Sequence, residues 1–296
     1  MAKIPILYKY SSIHDAVKIF ESKKIKISKP SNFNDPFDCS IPNIDYNFKE
    51  IEKYFFLKIT SFINKMGQQN LNENKKDYNN FITEMKNDFK NSFNDDLFNE
   101  LFSIKKDWNI HIDNYKILCL SKSHKSILMW SHYAKFHSGV VLGFDFNRDK
   151  PIYKKLQPVK YDKELKITKD FFNKLFRKLI DDSFTSELSG KNIINEDKFA
   201  NNFVTHLFEY FFIKNNVWDY EEEHRLVINN YNDDFLDFKE DSLKEIIFGI
   251  KVTEEEREIF LNKLNITNKQ IFIIEEKNRE LERKQYNKTL KKTRYP

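Results

Sequence analysis

The stretch Val217–Asn229, VWDYEEEHRLVIN, sets three consecutive glutamates between an aromatic pair and an apolar run. In a strand, side chains two apart share a face. Glu221, Glu223 and Arg225 would then project together while Tyr220, Leu226 and Ile228 turn to a core. Neighbouring carboxylates repel, which raises the pKa of at least one unless Arg225 or a bound cation compensates, and that pairing suits acid/base work or cation stabilisation. The same spacing also describes a solvated strand edge with Arg225 as an in-line partner. Spacing alone leaves both accounts standing.

Outward from this strand, short apolar runs alternate with helical blocks of uneven length. KIPILYKY reads as a strand and SSIHDAVKIFESKK as a helix, capped by Ser11 or Ser12 and burying Ile13, Val17 and Phe20. IKIS, YKILCLS, GVVLGFDF, FLDF, LKEIIFGI and QIFIIEE read as further strands. SILMWSHYAKFH reads as a helix with Met129, Trp130, Tyr133 and Phe136 or His137 on its stripe. Thr253 precedes three glutamates, an N-cap pattern. Polar, helix-periodic segments at about 47–107 and 164–216 read as insertions. The expected fold is α+β: one domain over residues 1–276 with a mixed or antiparallel sheet and two helical insertions, followed by a basic tail at 277–296.

Composition narrows the chemistry. The net charge is +5, yet residues 277–296 hold eight Lys/Arg and two Asp/Glu, a local +6, so residues 1–276 carry −1. Only five glycines occur, at 67, 139, 143, 190 and 249, too scattered for a dinucleotide fingerprint or a phosphate-binding P-loop. Cys39 and Cys119 show neither disulfide nor zinc spacing, there is no HExxH, and His132 and His137 are one residue too far apart for a helical metal pair; no metal is expected. The amino-terminal MAKIPILYKY lacks a signal-peptide run, and no segment reaches the roughly 20 apolar residues of a membrane span. The expectation is a cytoplasmic protein that does not enter a membrane.

Other candidate residues cluster in two places. The loop KPSNFNDPFDCSIP is stiffened by Pro30, Pro36 and Pro42 and displays Asn34, Asp35 and Asp38; such a loop is either turn chemistry or a ligand wall. MWSHYAKFHSG adds His132 and Tyr133. Taken in order, LYKY, SNFNDPFDC, LCLS, MWSHYAKFHSGVVLGFD, WDYEEEHRL and LKEIIFG resemble bacterial proteins of domain-of-unknown-function family 2971 over about residues 7–249. That layout in turn is similar to the ADP-ribosyltransferase superfamily: a polar or basic residue on the first strand, an aromatic or hydroxyl residue on a middle element and a glutamate on a late strand.

The resemblance implies a split-sheet cleft that clasps NAD as co-substrate. Glu223 and Glu221 would be the catalytic pair. Tyr8, Lys9 and Tyr10 would hold the first-strand position, and Ser121 or Tyr133 the middle one; His132, Asn34, Asp35 and Arg225 would complete the NAD contacts. Lys9 stands where the superfamily's groups carry His or Arg. Breaking the nicotinamide–ribose bond leaves positive charge on the ribose, which a fixed carboxylate stabilises. A tyrosine suits stacking on the nicotinamide, and Lys9 or Arg225 the diphosphate. The acceptor would be nucleic acid or protein, the setting a bacterial toxin or anti-phage effector, and a regulatory partner protein would restrain it. Two alternatives remain open on the residues: a metal-dependent nuclease built on Glu275 and Lys277 with Asp35 or Asp241, and a non-enzymatic nucleic-acid or protein-binding module.

Overall fold

The structure, a computed structural model, describes residues 4–40, 48–70, 112–162, 208–264, 266 and 269–286, together with single helical positions between 80 and 108 and between 173 and 185. In chain order the elements are β1 (Leu7–Ser11), α1 (Ile13–Ser22), β2 (Lys24–Lys26), α2 (Phe48–Asn70), β3 (Tyr115–Ser121), α3 (Ile127–Tyr133), β4 (Val140–Phe144), β5 (Gln157–Pro158) and β6 (Lys160–Tyr161). They continue with β7 (Ile213–Lys214), β8 (Glu223–Asn229), β9 (Phe235–Asp237), β10 (Leu243–Phe248), α4 (Glu254–Lys263), β11 (Gln270–Lys277) and β12 (Glu280–Gln285).

The chain divides into two compact units. One comprises Met1–Asp38, Asp113–Lys163 and Phe211–Pro296; the other, Cys39–Ile112 and Glu164–Tyr210, gathers both expected insertions. In the second unit α2 covers the segment read as the first inserted helix, and Tyr54 donates to the Asp181 carboxylate at 2.9 Å. Most of the helix expected at 78–102 and most of 164–207 lie outside the described residues; the described positions 80, 83, 84 and 87 are helical. The end of the second insertion is corrected: from Phe211 onward the chain belongs to the sheet unit, where Ile213–Lys214 forms β7.

The sheet unit holds an eight-stranded mixed sheet in the order β12-β11-β10-β4-β1-β3-β8-β5, in which β10 and β11 are parallel and the other neighbours antiparallel. Alternation along the strands sorts two cores. Leu7, Leu118, Leu142, Phe144, Leu226 and Ile246 pack with α1 and α4, whereas Tyr8, Tyr10, Val141 and Ile247 pack with Met129 and Trp130 of α3. Local signals explain the helices. Ser12 accepts from Asp15 N at 3.1 Å to start α1, and Thr253 and Glu256 form a reciprocal capping box on α4.

Two expectations fail for identifiable reasons. The helix read as reaching Phe136 or His137 stops at Tyr133, because Lys135, Phe136 and His137 all take positive φ (46°, 54° and 71°), leaving Phe136 73% exposed while His137 stacks on Trp130. The turn brings Gly139 against β1, where a Cβ would lie 2.3 Å from the Ser11 carbonyl oxygen; only glycine tolerates that approach. The tail expected from residue 277 begins instead with β12, which pairs with β11, buries Leu281 and sends Arg283 to Glu245.

One seam in the sheet creates the site. β1 pairs with β4 along its whole length, from Leu7↔Phe144 to Ser11↔Val140, but meets β3 only at Tyr8↔Ser121. Beyond that pair the strands diverge, and the Lys9 ammonium donates to the Cys119 carbonyl at 3.2 Å across the gap. No helix among the described residues is long and apolar enough to cross a membrane.

Candidate functional site

The divergence of β1 and β3 opens a cavity of about 280 Å³. Its wall draws on β1, β3, α3 and β8, on the loop around Asn34, and on Lys214 and Glu221. The split therefore sets strand ends and a helix face around one hollow, where side chains from distant parts of the chain converge.

Glu223 and Arg225 occupy one face of β8, as alternation requires. Arg225 Nε donates to Glu223 Oε1 at 2.9 Å and Nη2 to Oε2 at 2.8 Å. The other side of the guanidinium donates to Asp38, Nη1 to Oδ1 at 2.9 Å and Nη2 to Oδ2 at 2.6 Å, and Nη1 also reaches the Phe211 carbonyl at 2.9 Å. Asp38 is the last residue before the chain enters the second unit and Phe211 the first after its final return. Arg225 thus ties Asp38 and Phe211, both of the same unit, to the strand that carries Glu223.

Glu221 reaches the cavity by another route than expected. It ends the 3₁₀ turn Asn216–Glu221 rather than lying on the strand, and Glu222 takes a left-handed φ of 43°. That reversal keeps Glu221 and Glu223 on the same wall. Glu221 Oε1 accepts from the Tyr133 hydroxyl at 2.8 Å and Oε2 from Lys214 Nζ at 2.6 Å; Lys214 also lies 3.3 Å from Asp38 and 3.6 Å from Glu223. Asn34 donates to the same Tyr133 hydroxyl at 3.0 Å. The Glu223 backbone N–H donates to the Tyr161 hydroxyl at 2.8 Å, and the Ser121 hydroxyl to the Glu221 carbonyl at 2.6 Å.

Three carboxylates, Asp38, Glu221 and Glu223, thus share two cations, Lys214 and Arg225, all five buried. Burial alone would push both glutamates up. For Glu223 the Arg225 guanidinium and Lys214 outweigh it and hold the carboxyl below the usual glutamate range. For Glu221 burial, reinforced by the Glu223 charge, wins over Lys214 and Tyr133, and its pKa is raised. Burial would lower Lys214, but the three carboxylates around it raise its pKa far enough to keep it charged. Two carboxylates whose environments push their pKa values apart are how a site assigns one fixed charge and one proton carrier.

Of the expected contacts, Tyr8, Lys9, Tyr10, Asn34, Ser121, Tyr133 and Arg225 line the cavity with the two glutamates. Asp35 and His132 are elsewhere. The Asp35 carboxylate closes its own turn by accepting from Phe37 N at 2.9 Å, and His132 is exposed, its ring 6.4 Å from that of Tyr220. Glu275 and Lys277 are exposed on β11 and pair with β12, Glu275 with Lys284 at 2.9 Å and Lys277 with Glu282 at 3.2 Å. No group of three or more His, Cys, Asp or Glu residues among the described residues is arranged to hold a metal ion.

Sequence reasoning missed Lys214, Tyr161 and Cys119, and named Asp38 only as a loop residue. Lys214 had one visible signal: it closes the apolar run YFFI, where a lysine buries its charge only beside carboxylates.

Residues 129–226, from α3 into β8, match the model of the family described as "Protein of unknown function (DUF2971)". The matched stretch contains Tyr133, Lys214, Glu221, Glu223 and Arg225. No curated protein and no solved structure matches the chain.

Proposed function

We propose that the cavity is the active site of an ADP-ribosyltransferase-like enzyme that cleaves NAD at the nicotinamide–ribose bond and passes ADP-ribose to a nucleic-acid or protein acceptor. The observation that carries this reading is the pair of glutamates side by side on one wall of a cavity faced by Tyr8, Tyr10 and Tyr133, their pKa values displaced in opposite directions, Glu223 down and Glu221 up. With all five buried groups ionised, the Asp38, Glu221, Glu223, Lys214 and Arg225 set carries one net negative charge. That surplus is met in part by the Lys9 ammonium on the same cavity, holds a proton on Glu221, or faces a bound cation. A ribose developing positive charge at C1′ is such a cation.

In this scheme the bond electrons leave with neutral nicotinamide. Glu223, whose two oxygens each accept one hydrogen bond from Arg225, keeps lone pairs for a ribose hydroxyl. Asp38 shares the guanidinium, so Arg225 orients Glu223 without cancelling its charge. Glu221 in its carboxylate form takes the proton of the acceptor group that attacks C1′. The tyrosine rings supply stacking surface for the nicotinamide. Losing one preorganised partner of the charge that develops costs on the order of 3 kcal/mol, a hundredfold or more in rate. A bacterial toxin or anti-phage effector acting in the cytoplasm, held in check by a partner protein, is the setting proposed for this chemistry.

The test is incubation with NAD labelled in its adenosine half, without added metal, in the presence of total cell nucleic acid and protein. Label transferred to either pool by the wild type and not by Glu223→Gln supports the reading. Absence of both nicotinamide release and transfer defeats it.

A further inference from the structure

We infer that Arg283 and Glu245 are positioning residues of the cavity: through the Tyr8 hydroxyl they fix where the Tyr8 ring stands on the cavity wall, so that β12, at one edge of the sheet, belongs to the site. Neither residue is among those that line the cavity.

The tyrosines of the cavity use their hydroxyls differently. Tyr133 donates inside the site, to Glu221. Tyr10 donates to the Ser123 carbonyl at 3.0 Å, and Tyr8 to Glu245 Oε2 at 3.1 Å. Tyr8 and Tyr10 therefore offer a ligand ring surface, and the tie on each hydroxyl sets where that surface lies. For Tyr8 the tie runs away from β3, across β4 to β10.

Three features build it. Gly143 of β4 pairs with Tyr8 on one side and with Glu245 on the other. A Cβ there would lie 3.0 Å from Tyr8 Cε1 and 3.0 Å from Glu245 Cβ, so the missing side chain lets the phenol cross β4. The register of β10 against β4 shifts between Leu243 and Glu245, an irregularity that sets Glu245 rather than Lys244 opposite Gly143. Arg283 then reaches from β12 over the Phe272 ring, 4.5 Å from its centroid, and donates to the same Oε2 at 2.7 Å. Glu245 is 3% exposed, and Arg283 is its only ion-pair partner among the described residues. A buried carboxylate depends on the cation that compensates it. His124 packs edge-on against the Tyr8 ring, with centroids 5.1 Å apart.

Holding β12 to β11 does not require this arrangement. The exposed pairs Glu275–Lys284 and Lys277–Glu282 already join the two strands. Arg283 instead carries its charge into the sheet and ends on the residue that holds a cavity side chain.

The effect on NAD rests on the function proposed above, whereas the placement of the ring does not, and the experiment reads the two separately. In the full chain with labelled tyrosine, glycine and histidine, nuclear Overhauser contacts are measured from the Tyr8 ring to the Gly143 α-protons and to the His124 ring. Arg283→Ala should weaken both by about twofold or more. Arg283→Lys, which keeps a cation within reach of Glu245, should restore them. Contacts at wild-type strength in Arg283→Ala overturn the inference, whether or not NAD is cleaved.

With NAD as substrate, Arg283→Ala should raise KM about tenfold while kcat changes less than about twofold, the pattern of binding lost equally from ground and transition states. Tyr8→Phe cuts the tie at its other end and should raise KM by a similar factor. Arg283→Ala added to Tyr8→Phe should then change nothing further. Factors that multiply in the double variant, or a loss confined to kcat, overturn the inference. A wild type that cleaves no NAD, but whose Tyr8 contacts weaken in Arg283→Ala and return in Arg283→Lys, removes the ADP-ribosyl reading and upholds the positioning of Tyr8.

Discussion

Arg225 and Glu223 lie two residues apart on β8, joined by two parallel hydrogen bonds of 2.9 and 2.8 Å, with the guanidinium fully buried at 0% exposure. The opposite side of the same guanidinium carries Asp38. Arg225→Met should therefore leave two carboxylates facing each other without their shared cation and cost about 3–5 kcal/mol. Combining it with Asp38→Asn should recover part of that loss. Urea unfolding midpoints of the single and double variants check both expectations; additive losses would mean that Asp38 and Arg225 act independently.

The two glutamates should give opposite slopes of stability against pH. Glu223 has a folded pKa below its ordinary value of 4.5, so its contribution is present above that value and disappears as pH falls through the folded pKa. Glu221 has a folded pKa above 4.5, so its contribution is present below that value and is lost as pH rises through the folded pKa. Urea midpoints measured from pH 3 to pH 8 should show Glu223→Gln flattening the acid arm, and Glu221→Gln removing the decline on the alkaline side of 4.5.

Tyr133→Phe removes the hydroxyl that donates to Glu221 and accepts from Asn34. That donor favours the Glu221 carboxylate, so its loss should move the Glu221 pKa further up and cost about 1–2 kcal/mol of stability. Carboxyl-carbon NMR titration of labelled glutamate checks the direction. An unmoved Glu221 would separate Tyr133 from the proposed acid/base pair.

Toward the β12 edge of the same sheet, Arg283 of β12 donates to buried Glu245 at 2.7 Å, and Glu245 accepts from the hydroxyl of cavity-lining Tyr8 at 3.1 Å. Burial, with Glu245 adding to it, pushes the Tyr8 phenol up to about 12. Arg283→Ala should leave Glu245 with Tyr8 alone and cost about 1–3 kcal/mol. Truncation after Lys277, which deletes β12, should cost more, since it also removes Leu281. A melting curve unchanged by either alteration would return the segment to the role of a loose basic tail.

Much of the site could be read from periodicity. Alternation in EHRLVIN places Glu223 and Arg225 on one face and Leu226 on the other, and the structure keeps that arrangement. The strands KYS, LCLS and QIFII and the cap at Thr253 carry equally local signals. What escaped is non-local or lacks a local signature. Lys214 meets Asp38 only because β7 returns beside the Asn34 loop, and nothing within a few residues of either encodes that meeting. The left-handed run Lys135–His137 contains neither glycine nor asparagine, so composition offered no reason to end the helix at Tyr133. β12 is a charged edge strand; its lysine, arginine and glutamates look like solvated tail because edge strands favour such residues.

The account rests on Glu223 acting as the fixed carboxylate of NAD cleavage. The direct measurement is the rate of nicotinamide release from NAD by wild type and by Glu223→Gln, with circular dichroism and unfolding midpoints confirming that both are folded. Release by the wild type that falls a hundredfold or more in Glu223→Gln is the expected result. Equal release from the two folded proteins, or none from the wild type with any acceptor pool, contradicts it.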